Sequence, residues 1–241
     1  MRLPLLIAAL VLPLGACHGG TAEDGPSIAG NGTGNARTFP VTGFTKIELA
    51  GADEVDVRVG TGFSVRAEGA EDELEKLRIT RDGDALGIGR KRGFGLSGGK
   101  GLKLFVTMPA IRGVQIAGSG RMTIDRVEGQ SFTGESAGAG KLEIGALDTE
   151  SADFSTAGSG DMTLAGTTRS LDIDIAGAGS IKAQRLVASE AKVSIAGAGD
   201  VTATVNGPAS VEIMGSGNVD LGAGASCTVN KMGSGEVRCA K

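Results

Sequence analysis

The chain has 241 residues, 42 of them Gly, with neither Trp nor Tyr and a formal net charge of −4. The acidic balance argues against nucleic acid as a partner, because such binding rests on concentrated Lys and Arg. The single His, His18, leaves no Ser-His-Asp or Cys-His catalysis and no imidazole-built zinc or iron site.

Residues 1–16 read as a lipoprotein signal peptide. Arg2 gives a minimal positive start, and the apolar run Leu5–Leu12 is too short to span a membrane as a mature helix. The ending Leu14-Gly15-Ala16-Cys17 resembles the lipobox of bacterial lipoproteins. That resemblance implies cleavage before Cys17 and lipid on its sulfur and new amino group; in an ordinary secretory signal Cys17 would be incidental. Acylated Cys17 would be the contact with a membrane, each buried methylene adding about 0.8 kcal/mol. His18 stands where an Asp would otherwise direct sorting. By resemblance this points to the outer membrane of the bacterial envelope, on its periplasmic or surface face. Residues 17–36 then form the lipidated Cys and a flexible tether. Their small, polar, Gly-rich composition cannot bury a core, and the tether reaches roughly 25 Å.

Residues 37–241 read as one β-solenoid domain, with 37–110 an irregular, strand-rich cap and 111–241 regular repeats. In the cap, Ile47–Val57 looks like a degenerate repeat, with Asp53 where a second Gly would stand. Phe63–Ala67 alternates as a strand, Glu71–Lys76 suits one helical turn, and Leu77–Ile88 suits a hairpin about Asp82-Gly83. Arg90–Gly101 is expected as a solvated Gly-rich loop carrying Arg90, Lys91, Arg92 and Lys100. Leu102–Val106 is a strand that stops at Pro109.

From residue 118 a triplet recurs seven times: Gly118-Ser119-Gly120, Gly138-Ala139-Gly140, Gly158-Ser159-Gly160, Gly177-Ala178-Gly179, Gly197-Ala198-Gly199, Gly215-Ser216-Gly217 and Gly233-Ser234-Gly235. The steps are 20, 20, 19, 20, 18 and 18 residues. A constant period near 20 marks a solenoid, one coil per repeat. Around each triplet apolar residues alternate with a spacing of two, as Val193, Ile195, Val201 and Ala203 do; these are strands with every second side chain inward. Counting by two puts both glycines in the inward phase, where a coil has no room for a side chain or a corner needs positive φ. The middle residues then face outward as a candidate contact ladder: Ser119, Ala139, Ser159, Ala178, Ala198, Ser216 and Ser234. Seven coils at about 4.8 Å make a rod of roughly 35 Å.

The residue after each triplet is Arg121, Lys141, Asp161, Ser180, Asp200, Asn218 or Glu236. Such a mixture makes no calcium ladder, so no metal and no cofactor is expected. Asp172 and Asp174 share one outward phase; carboxylates there normally solvate a strand, although such pairs also serve acid–base chemistry. Cys227 and Cys239 lie 12 residues apart in the last coil, in a compartment that permits disulfides. A bridge that pins the final strand is favoured over two free thiols.

The recurring triplet, each followed by an apolar strand, with the irregular start and the leader, resembles the head GIN domain family of putative auto-transporter adhesins over roughly residues 37–240. That resemblance implies a right-handed parallel β-helix shaped like the pectin lyases but without their catalytic residues, and a role in adhesion. Asp53 and Lys231, within the last strand, depart from the pattern. The expected function is therefore a non-enzymatic, membrane-anchored envelope module for binding, adhesion or scaffolding, its partner an envelope protein or glycan. Nothing indicates an oligomer. The competing readings are a β-helix polysaccharide lyase or hydrolase, and a structural envelope protein with no specific ligand.

Overall fold

The computed structural model describes residues 26–91 and 101–240. Its regular part is built from long strands, each ending at the first glycine of a triplet. These are β10 (Val127–Gly138), β11 (Lys141–Gly158), β12 (Asp161–Gly177) and β13 (Ser180–Gly197). Each pairs in parallel with the next, glycine above glycine: Gly138 on Gly158, Gly158 on Gly177, Gly177 on Gly197. Register shifts at Ile144/Leu147, Thr163/Ala165 and Ala183/Val187 mark a second bend in each coil. Shorter strands extend the stack. β8 (Gly113–Gly118) and β9 (Arg121–Ile124) precede β10. β14 (Asp200–Val205), β15 (Pro208–Gly215), β16 (Asn218–Asp220), β17 (Ser226–Gly233) and β18 (Val237–Arg238) follow β13.

Alternation does the folding work. In β13 the buried positions include Ile181, Ala183, Leu186, Ala188, Ala191, Val193 and Ile195, and the residues between them are polar except for the exposed Val187. One inward column runs Leu49, Ile116, Ser136, Thr156, Ile175, Ile195, Ile213 and Lys231. Full burial of each aliphatic side chain contributes about 1.5–3 kcal/mol. Two buried rings pack together in the interior: Phe132 and Phe154 lie 5.9 Å apart. Gly134 faces Phe154 across the ladder, and a Cβ there would sit 2.7 Å from the Phe154 ring.

The N-terminal region departs from sequential stacking. β2 (Lys46–Gly51) and β3 (Glu54–Val59) pair in parallel with β8 and β9, placing Gly51 on Gly118. Ile47–Val57 is thus a true coil, as its degenerate repeat suggests. On its other side lie β6 (Ala85–Arg90) and β7 (Lys103–Met108), also parallel. The coil at 46–59 is therefore sandwiched between two coils made later in the chain.

Antiparallel strands then close this end. β5 (Leu77–Asp82) pairs with β6 through a turn at Gly83, β4 (Ser64–Glu68) pairs with β7, and β1 (Ala36–Phe39) pairs with β4. The expected helical turn is α1 (Glu71–Lys76), with acidic residues in its first turn and Lys76 in its last, as the helix dipole favours. The expected tether is shorter than its composition suggests. Ile28 N donates to Ile79 O, and Asn31 bridges Thr38; Ile28 supplies the apolar side chain that the rest of that stretch lacks.

Candidate functional site

The triplet corner recurs in every coil from Gly118 to Gly235. At Gly138 φ is +120°, and a Cβ would stand 2.6 Å from Gly118 O. The first glycine therefore makes the corner in a conformation that L side chains avoid. The second is inward and buried: at Gly140 φ is unremarkable, but a Cβ would meet Ile116 Cγ2 at 2.5 Å and Gly120 O at 3.2 Å. Tight approach lets successive corners bond directly. Ala139 N donates to Gly118 O, Ser159 N to Gly138 O and Ala178 N to Gly158 O, all at 2.8 Å.

All seven ladder residues, Ser119, Ala139, Ser159, Ala178, Ala198, Ser216 and Ser234, are exposed. Beside them runs a second outward column that the sequence reading missed: Ala50, Ala117, Ala137, Ala157, Ala176, Ala196, Met214 and Met232. Its signal was in plain view, since an Ala precedes the glycine pair in five successive triplets, from Ala117 to Ala196. The corners from Gly51 to Ser159 line a shallow trough of about 510 Å³. A second depression of about 330 Å³ lies between the Ala column and the outward column of Gln115, Glu135, Ser155, Asp174 and Ser194.

The carboxylates gather on this same face. Asp153 and Asp172 are paired neighbours on adjacent coils, and Asp174 stands one outward position along. Burial first, then Asp172 and Asp174, push the Asp153 carboxyl above its ordinary range. Lys192 Nζ lies 3.6 Å from Asp172 Oδ2 but is largely exposed. These groups sit on the outward side of the strands, Asp172 Oδ1 being buried there without a hydrogen-bond partner. Among the described residues no group of three or more His, Cys, Asp or Glu is placed to hold a metal ion.

Asp53 has a structural part that its sequence position only hinted at. It takes the place of the second glycine and is 1% exposed. Its Oδ1 accepts from Leu102 N at 2.8 Å and from Arg90 Nη2 at 2.6 Å. Arg90 Nη1 also donates to Glu73 O at 3.3 Å. Burial raises the Asp53 pKa, while the Leu102 N–H and Arg90 pull it back. This corrects the expectation for Arg90: it is the last residue of β6, its side chain only 15% exposed, and it fastens the cap instead of decorating a solvated loop. Arg92 and Lys100 lie outside the described residues, as do Cys17 and His18.

At the other end Cys227 and Cys239 form a disulfide, their Cα atoms 6.1 Å apart. The bridge ties β17 to the segment that follows β18. Lys231 occupies an inward position of β17, and its Nζ donates to Gly235 O at 2.7 Å.

Parallel coils in glycine-to-glycine register, closed at one end by antiparallel strands, define a parallel β-solenoid. This chain belongs to the family described as "Putative auto-transporter adhesin, head GIN domain", which matches residues 43–225. Solved structures share the fold. A putative adhesin from Bacteroides fragilis superimposes with a TM-score of 0.80 at 21% identity, covering 87% of this chain and 98% of that one. A protein from Parabacteroides distasonis described as a putative lipid binding protein gives 0.68 at 21% identity, covering 88% and 98%. A putative adhesin from Parabacteroides merdae gives 0.62 at 18% identity, covering 88% and 98%. No curated protein matches the chain.

Proposed function

We propose that the chain is a non-enzymatic binding module of the bacterial envelope, anchored through lipidated Cys17 and held off the outer membrane by its N-terminal tether. The observation that carries this reading is the exposed strip of Ser/Ala corners beside the Ala column. Flat, small-residue strips let a partner surface approach the backbone closely while exposing little to repel it. The family description and the neighbours' descriptions, adhesins and a lipid-binding protein, agree with a contact role. The partner is an envelope protein or glycan.

The test is a triple variant of the full chain, Ser119→Arg, Ser159→Arg and Ser216→Arg. Attachment to envelope fractions and to a glycan array should disappear while the far-ultraviolet spectrum stays unchanged. Undiminished attachment by the folded variant rules out the ladder as the contact. Cys17→Ser should abolish incorporation of labelled fatty acid; retained label would refute the anchor. A pull-down from envelope extracts that captures nothing favours the purely structural alternative, and unsaturated products from uronate polymers would favour the lyase alternative.

A further inference from the structure

The two ends of the stack are finished differently. The N-terminal end is covered by β5, β4 and β1, and the chain enters there, at Ile28. At the other end β17 pairs only with β15 and β18 only with β16, so among the described residues the far side of both is unpaired. Apolar exposure concentrates at this end. Met214 is 52% exposed, Val229 45% and Met232 69%, and Val229 belongs to the inward phase that earlier coils bury.

Lys231 decides what can cover this edge. Its column holds Ile175, Ile195 and Ile213 in the three preceding coils. Within the stack, the carbonyls of Gly120, Gly140, Gly160 and Gly179 each accept an N–H from the next coil, while in the last two coils Asn218 N and Glu236 N donate to Asp200 Oδ1 and Asn218 Oδ1. At the end, Gly235 O accepts from the Lys231 ammonium instead. A strand laid on β17 would place one of its own inward side chains over Lys231, as Lys231 itself lies over Ile213. An apolar residue there would bury an unpaired charge, which is strongly unfavourable, whereas a carboxylate would pair with it. A second copy placed edge to edge brings Lys231 against an inward row of Cys227, Val229 and another Lys231, none of which can accept the charge. The protein's own tether, counted from a lipidated Cys17, is too short. Residues 18–27 fully extended reach about 35 Å, less than the roughly 43 Å spanned by nine strand spacings from β5 to β17.

We infer that the edge of β17 docks an extended segment of another protein that carries a carboxylate facing Lys231 and apolar residues two positions to either side. The mode is strand addition, where main-chain bonds give affinity and alternate side chains give selectivity. This rests on the reading of the chain as an anchored binding module, and it places the docking edge on the end of the rod away from the tether.

The probe is an eight-residue acetylated, amidated peptide alternating Thr and Val, with Glu at the position facing Lys231, compared with the same peptide carrying Lys there. On the full chain, the Glu peptide should protect the amides of residues 227–233 from hydrogen exchange and bind at least tenfold more tightly than the Lys peptide. In Lys231→Ile, and in Lys231→Gln should the first variant lose its fold, that preference should vanish. Absence of protection by either peptide, equal binding of both, or a wild-type chain that sediments as a dimer through residues 227–233 would overturn the inference. The arginine variants of the corner ladder leave this edge intact, so the ladder contact and the edge contact fail independently.

Discussion

Replacing Gly138 by Ala tests the corner most directly. The residue would have to hold φ near +120°, in a region that costs a side-chain-bearing residue about 1–3 kcal/mol. Its Cβ would also stand 2.6 Å from Gly118 O, a backbone atom that cannot swing away. Relief must come from separating the coils, which lengthens the 2.8 Å bond from Ala139 N to that same oxygen and loses about 1 kcal/mol. With local overpacking the loss is roughly 3–6 kcal/mol, a large share of the 5–15 kcal/mol that holds an ordinary domain. Thermal unfolding followed by circular dichroism should show a midpoint lowered on the order of 10 °C. The neighbouring change Ala139→Ser, on the exposed ladder, should move it by less than about 1 °C. Gly140→Ala should fall between, because Ile116 can partly yield. A Gly138→Ala protein within about 0.5 kcal/mol of wild type would refute the steric account of the triplet.

Three further outcomes follow from named contacts. Removing the 227–239 bridge with Cys227→Ser and Cys239→Ser should cost about 2–3 kcal/mol; amide exchange should rise across residues 226–240 and stay unchanged in the inner coils, and a uniform rise would contradict a local pin. Phe154→Ala removes a buried ring from the interior and should cost about 3–5 kcal/mol in urea unfolding, a loss under about 1 kcal/mol showing that the coil collapses to fill it. Because burial raises the Asp53 pKa, the folded chain keeps this proton at a pH where the unfolded chain has released it. The group's contribution is fullest below the ordinary carboxylate range and falls as pH rises through the raised value. Asp53→Asn should flatten that part of the stability profile, and urea midpoints at a series of pH values between about 4 and 7 would reveal an unaltered slope if the assignment is wrong.

The regular stack was legible because its causes are local. A two-residue alternation and a fixed step between glycines depend only on neighbours in sequence, and Gly138, Gly158, Gly177 and Gly197 fall in one column as counted. The order of the first coils was not legible. Nothing in Ile47–Val57 says that its partners are residues 85–90 on one side and 113–118 on the other, since pairing between distant segments is chosen by the whole packed end. The role of Arg90 was hidden for the same reason: its partner Asp53 lies 37 residues away. For the contact surface, the Ser/Ala ladder came from counting phase. The Ala column escaped because an apolar residue in an outward position looks like noise until coils are aligned.

The interleaving of the first coils bears on how the protein is born. Strands β2 and β3 are synthesised early, yet both of their flanking partners are synthesised afterwards, the last ending at Ile124. The coil at 46–59 therefore cannot be paired on both sides until the chain through Ile124 has been made. Winding toward the C-terminus then needs only sequential addition.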